Sequence, residues 1–244
     1  TTCPSDGAEL TLSLPVERTI DGKYRLDRLI GKGGMGAVYE AADLRLARSV
    51  AVKIMLGRAF GDRQALRRFE REAQACARLT HPNIITVFDF GAAGADGAYL
   101  VMELVQGRTL RNELKRRGHL PPAVAATWFE QICEGVAAAH QRSVVHRDLK
   151  PENVVIAETA TGGEILKVLD FGLAKVRTAS DDASLTHPGV VLGTAGYMSP
   201  EQLSGGEVDH RADVFAIGVM ATEAIVGQRP FRGRTFGELL QSIE

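Results

Sequence analysis

The sequence predicts an α+β fold in two lobes, a β-rich N-terminal lobe followed by a mainly helical C-terminal one. Three observations carry this expectation. From Tyr24 to Val105 the apolar residues come in short runs broken by glycine-rich turns, as strands do. After Gly107 they recur every three or four residues over long stretches, as helices do. No segment repeats. The expected division is a tail or linker over 1–22, the first lobe over 23–103 and the second over 104–244, with its helical set incomplete.

Residues 1–22 are polar, carry Pro4 and Pro15, and hold no period. Tyr24 to Ile30 reads as a strand that runs into a glycine cluster, and Ala37–Tyr39 and Val50–Ile54 follow as short strands. Asp62 to Leu79 reads as a helix, because Ala65, Phe69, Ala73, Cys76 and Leu79 share one face; His81-Pro82 ends it. Ile84–Phe90 and Ala98–Val105 complete the strands of the first lobe. Thr109–Arg117 and Pro122–Arg142 are the first long helices, with Pro122 suited to a first turn. Val144 to Asn153, Val154–Ile156 and Ile165–Asp170 read as loops and short strands, and 175–192 is polar without period. An apolar helix from about Asp213 to Val226, closed by Gly227 and Pro230, is followed by a last one over Thr235–Glu244.

Composition excludes some function classes. The 29 basic and 30 acidic residues nearly cancel, which argues against a general nucleic-acid or membrane-surface binder. Cys3, Cys76 and Cys133 form no framework, so reduced thiols and a cytoplasmic location are expected. No apolar run reaches the roughly 20 residues that span a bilayer, and there is no signal peptide; an anchor outside this chain stays compatible with both facts.

Four clusters carry chemistry. Gly31-Lys-Gly33-Gly-Met-Gly36-Ala-Val38 has glycines spaced for close backbone approach to phosphates. A dinucleotide-binding turn shares this spacing but opens into a helix, whereas here the β-formers Ala37, Val38 and Tyr39 follow. Lys53, on an otherwise apolar strand, is placed to lie beneath that glycine turn. A charged lysine there needs a counter-charge; Glu72 has the better sequence context and Glu70 competes. His146-Arg-Asp-Leu-Lys-Pro-Glu-Asn153 sets a carboxylate, a lysine and an amide at close offsets: Asp148 to orient or accept a hydroxyl proton, Lys150 to neutralise a phosphoryl group, Asn153 to hold a cation. Asp170-Phe-Gly172 follows, and Asp170 is a hard oxygen ligand suited to Mg²⁺ carried by a nucleotide.

Together with a closing Ser199-Pro-Glu201, these segments resemble the eukaryotic-like protein kinases, in that family's order and from about residue 24 to the end. The resemblance implies the two-lobed protein kinase fold and ATP-dependent phosphorylation of protein Ser and Thr, with Mg²⁺ as the metal and Mn²⁺ able to replace it. It implies that Gly31, Gly33 and Gly36 cover the ATP phosphates and that Lys53, paired with Glu72, contacts them. It makes Asp148 the catalytic base or the group that orients the attacking hydroxyl, Lys150 the stabiliser of the γ-phosphoryl group, and Asn153 and Asp170 the metal ligands. By the same alignment Met102 sits behind the adenine, Glu103 to Val105 form the hinge, and Val38, Ala51 and Val155 close an apolar slot. Lys150 and Thr194 resemble the Ser/Thr rather than the tyrosine branch, and FEREAQACARLTHPNII and GTAGYMSPEQ resemble bacterial members. Ser199 stands where alanine is commoner, a small-for-small change expected to be tolerated. A scaffold without activity would need a damaged motif. A small-molecule phosphotransferase would not need the full segment from Gly193 to Glu201, the platform for a polypeptide.

The resemblance also implies regulation. Arg147, before Asp148, is expected to receive a phosphate on the segment after Asp170. That segment offers Thr178, Ser180, Ser184 and Thr186; phosphorylation of Ser184 or Thr186 between two transiently paired copies is the expectation. The chain ends at Glu244, where family members continue and supply an arginine for Glu201. A buried Glu201 without that partner would cost about 3–5 kcal/mol, so the expectation is either that the chain alone folds poorly or that its remaining residues lie outside this sequence. Thr2 to Leu10 resembles half of a small zinc ribbon, but one cysteine cannot complete a metal site, and a plain linker is the stronger reading.

Overall fold

A computed structural model describes residues 18–33, 36–55, 63–93, 97–159, 161–171, 195–233 and 235–243. Six strands form one antiparallel sheet: β1 (Thr19–Ile20), β2 (Tyr24–Gly33), β3 (Gly36–Asp43), β4 (Arg48–Met55), β5 (Val87–Ala92) and β6 (Ala98–Glu103), in the order β1-β2-β3-β4-β6-β5. β3 alternates half-buried and buried residues, so one face packs inward, while β4 is buried from Val50 to Met55 because neighbours cover it on both sides. Residues 1–22 were expected to be a tail, yet Thr19 and Ile20 pair with Arg25 and Tyr24. A two-residue strand is too short to show a period, which is why the sequence hides it. Residues 1–17, with Cys3 and the ribbon-like stretch, lie outside the described residues.

Helix α1 (Arg63–Ala77) crosses this sheet and buries Phe69, Ala73 and Cys76 against it. Phe69 meets Phe90 of β5 edge to face. After the sheet come β7 (Gly107–Thr109), α2 (Leu110–Arg117) and α3 (Pro122–His140). Thr109 caps α2 by accepting the Asn112 N–H at 3.1 Å, so the helix starts one residue later than its cap. Pro122 opens α3, and Ala125, Trp128, Phe129, Ile132, Val136 and Ala139 make its buried stripe.

The chain then returns through β8 (Val154–Glu158) and β9 (Glu164–Val168), which join β7 in a second antiparallel sheet in the order β7-β8-β9. Short helix α4 (Pro200–Leu203), long α5 (Arg211–Val226) and α6 (Phe236–Ile243) follow in the second lobe. The two lobes are stitched at residues 83–85: Ile85 N–H donates to Val168 O at 3.0 Å and Val168 N–H to Asn83 O at 2.9 Å. Asn83 is itself buried and donates to Gln131 Oε1 and Leu166 O.

Glu201 is half-buried rather than buried, so the charge penalty expected there is not imposed in full. No helix among the described residues is long and apolar enough to cross a membrane.

Candidate active site

β2 and β3 meet at Gly33 and Gly36, and the glycine cluster read as a loop is largely strand: Gly31 and Lys32 pair with Val38 and Ala37. The three glycines are not equivalent. Gly36 sits at φ +147°, and a Cβ there would lie 1.9 Å from the Ile54 carbonyl oxygen. A Cβ on Gly31 would meet only Val38 Cβ at 3.9 Å, an ordinary contact. The fold therefore demands Gly36, while any demand at Gly31 has to come from a ligand.

β4 carries Lys53 under that turn, opposite Val38 of β3 and Leu100 of β6. Only 10% of its side chain is exposed, so its charge needs a partner. The expected partner was Glu72. The ammonium instead lies 2.7 Å from Asp170 Oδ2, and no Lys53–Glu72 ion pair occurs among the described residues. Reach along the chain could not decide between the two acids, because Asp170 arrives from 117 residues away. Burial pushes the Asp170 carboxyl up, but the charge and hydrogen bond of Lys53, then His146 and Lys150, outweigh it and hold it below its ordinary range.

Asp148 and its neighbours come together as read. Lys150 Nζ lies 2.8 Å from Asp148 Oδ2, and Asn153 Nδ2 donates to the Asp148 carbonyl at 2.8 Å. A 3₁₀ turn over Pro151–Asn153 sets this geometry, and Leu169 N–H donates to Asn153 O, bringing the Asp170 segment alongside. Asn153 thus directs its amide nitrogen at Asp148. Arg147 and Asp170 both hold a left-handed backbone, φ +66° and +59°, which costs on the order of 1–3 kcal/mol each and needs support from outside.

That support comes from residues the sequence reading passed over. Asp213, fully buried at the start of α5, accepts the N–H groups of His146 and Arg147 at 2.8 Å each and bonds His140 Nε2 at 2.7 Å. A charged residue inside an apolar helix was the available signal. His146 is buried, bonds Leu169 O through Nε2 and packs edge to face on Phe171. Cys76 donates its thiol to Phe171 O at 2.9 Å; burial, with Glu72 and Asp170 nearby, pushes that thiol up to about 12 and keeps the proton on sulfur. Arg111 of α2 bridges Glu152 and Glu223 at 2.8 and 2.9 Å, and both Arg111 and Glu223 bond the Tyr197 hydroxyl. The last described stretch before α4 is thereby tied to the turn that holds Asn153.

One apolar cluster gathers Ala51, Ile85 and Met102 with Val38, Leu104, Val105 and Leu169 around it. Five of the seven residues expected to line the base, Val38, Ala51, Met102, Leu104 and Val105, fall in it. Val155 lies outside that cluster, buried on β8 beside Gly107. Glu103 offers less backbone than expected, since its N–H already donates to Thr86 O. Its carboxylate takes Lys167 Nζ of β9 at 3.0 Å. Thr178, Ser180, Ser184, Thr186 and Thr194 lie outside the described residues.

Among the described residues no group of three or more His, Cys, Asp or Glu could hold a metal alone. Asn153 and Asp170 offer hard oxygens only, a set that suits Mg²⁺ arriving with phosphate oxygens and water as its other ligands.

Residues 24–243 match the protein kinase domain family. Among curated proteins the chain is 42% identical over 217 residues to the serine/threonine-protein kinase pkn3 of Myxococcus xanthus, covering 88% of this chain and 40% of that protein. It is 45% identical over 219 residues to PknA of Mycobacterium tuberculosis, covering 88% and 49%. With PknL of the same organism the values are 43% over 220 residues, covering 90% and 53%. The chain spans about half the length of these curated relatives.

Proposed function

The chain belongs to the protein kinase domain family, and on that premise we propose that it transfers the γ-phosphoryl group of ATP to Ser and Thr hydroxyls of proteins. The observation that carries the reading is one charge cluster, in which Lys150 touches Asp148 while Lys53 touches Asp170. A substrate hydroxyl oxygen attacks the γ-phosphorus as the bond to the β-bridging oxygen breaks, and ADP leaves. Asp148 orients the hydroxyl and takes its proton; Lys150 offsets charge on the group in transit. Asn153 and Asp170 would hold Mg²⁺ or Mn²⁺, which supplies charge neutralisation at the phosphates.

The protein also phosphorylates its own segment at Ser184 or Thr186, copy to copy in a transient pair, and Arg147 receives that phosphate. A cytoplasmic setting fits the ATP requirement and the free thiols of Cys76 and Cys133.

Transfer of labelled γ-phosphate from Mg²⁺-ATP to the protein itself and to a generic basic protein tests the reading. Label on Ser and Thr that disappears with Asp148→Asn and with chelation of Mg²⁺ supports it. Label unchanged by Asp148→Asn overturns the role of that carboxylate, and no label under any condition overturns the function.

A further inference from the structure

Arg147 immediately precedes Asp148, and its left-handed backbone does not hold itself. Both of its peptide groups are gripped from outside. Its N–H donates to Asp213 Oδ1 at 2.8 Å, from α5; its carbonyl accepts from Gln202 Nε2 at 2.7 Å, from α4.

The other end of the same amide is also fixed. Gln202 Oε1 accepts the Ser199 N–H at 3.1 Å and the Ser199 hydroxyl at 3.3 Å, and Ser199 is fully buried. A primary amide can turn either way round, with oxygen and nitrogen exchanged. Two donors on Ser199 decide the orientation: oxygen faces Ser199, so nitrogen faces the Arg147 carbonyl. The capping box that starts α4 thus also fastens the residue next to Asp148.

We propose that Gln202, oriented by Ser199, is a positioning residue for phosphoryl transfer, coupling the stretch that ends at Ser199 to the placement of Asp148. The proposal rests on the phosphotransfer reading above. It also gives Ser199 a purpose that alanine could not serve, since alanine would leave the amide only one donor to set its orientation. A plain helix cap accounts for the Ser199 contacts but not for the bond to Arg147 O.

Three variants separate the cap from the grip. Gln202→Glu keeps an acceptor for Ser199 and loses the donor to Arg147 O. Gln202→Met removes both without adding charge, and Ser199→Ala removes the hydroxyl alone. The readouts are kcat and KM for ATP and protein substrate, the thermal midpoint, and amide hydrogen exchange over residues 146–149.

Gln202→Glu is expected to keep its midpoint within about 2 °C, while kcat falls about tenfold and KM for ATP stays within about twofold. Exchange at the Asp148 amide should quicken about tenfold in both Gln202 variants. Ser199→Ala should lose about threefold in kcat, and adding it to Gln202→Glu should cost nothing further, because Ser199 acts through the amide. Unchanged exchange across 146–149 in both Gln202 variants overturns the proposal. So does unchanged kcat in a protein that transfers phosphate. If the unaltered protein transfers none, the phosphotransfer reading fails on its own, and the exchange measurement still decides whether Gln202 holds the loop.

Discussion

Lys53 Nζ lies 2.7 Å from Asp170 Oδ2, so an ammonium on β4 and a carboxylate just after β9 neutralise each other across the two lobes. Lys53 is nearly buried and 27% of the Asp170 side chain is exposed. Losing one partner should therefore cost about 2 kcal/mol, below the roughly 3–5 kcal/mol of a fully buried pair. The Asp170 carboxyl is lowered in the folded protein, so its contribution is full above the ordinary carboxylate range. It is lost as pH falls through the lowered value. Lys53→Met should thus lower the melting temperature most near neutral pH, with the gap to the unaltered protein closing as acid protonates the lowered Asp170 carboxyl. A gap of constant size across that titration would show that Asp170 draws its shift from elsewhere.

Gly36 and Gly31 make a matched pair of tests. A methyl at Gly36 would run into the Ile54 carbonyl at 1.9 Å, a backbone atom inside β4 that cannot swing away, and would also strain φ. Gly36→Ala should cost about 2–3 kcal/mol in urea unfolding. Gly31→Ala, with its nearest neighbour at 3.9 Å, should stay within about 0.5 kcal/mol. If nucleotide crosses this turn, Gly31→Ala should weaken ATP binding while leaving stability alone. Equal stability losses at the two sites would contradict the geometry.

The parts legible in the sequence were those written locally. Strands and helices followed from period, and the Asp148–Lys150–Asn153 constellation from offsets of a few residues, because a short turn leaves such side chains nowhere else to go. Contacts between distant segments were not legible. Nothing in Phe69 to Ala73 tells whether Lys53 meets Glu72 or Asp170, since the partner is decided only when β4, α1 and the stretch after β9 have packed together. Arg111 comes from α2, Glu223 from α5 and Tyr197 from the stretch before α4, and none stands out alone. Asp213 could have been read, because a carboxylate on the buried face of an apolar helix has to be serving donors.

Asp213 serves two backbone donors of the strained loop and one ring nitrogen, with its side chain fully buried. Asp213→Ala strands the His146 and Arg147 N–H groups away from water and should cost about 3–5 kcal/mol. Asp213→Asn keeps one acceptor oxygen and should cost about half as much. In both, amide exchange at His146 and Arg147 should speed up before the rest of the second lobe does. Protection that persists at those two amides would mean that they have another acceptor.

Lys167 and Glu103 offer the last prediction, and it concerns the nucleotide. Lys167 stands on β9 directly opposite Val155 of β8, and its ammonium reaches up to Glu103 Oε2 at 3.0 Å, at the end of β6. The pair therefore spans the junction of the two sheets at the stretch expected to bind the base. Its side chains are 14% and 30% exposed, which places it above a typical surface pair and below a buried one, at about 1 kcal/mol. Lost from nucleotide placement, that amounts to about fivefold in affinity. Lys167→Met and Glu103→Gln should each raise KM for ATP by about that factor and leave kcat within about twofold. The double variant should be no worse than either single one, because the second change removes a partner already idle. Equal losses in kcat and KM that add in the double variant would mean that each residue acts alone.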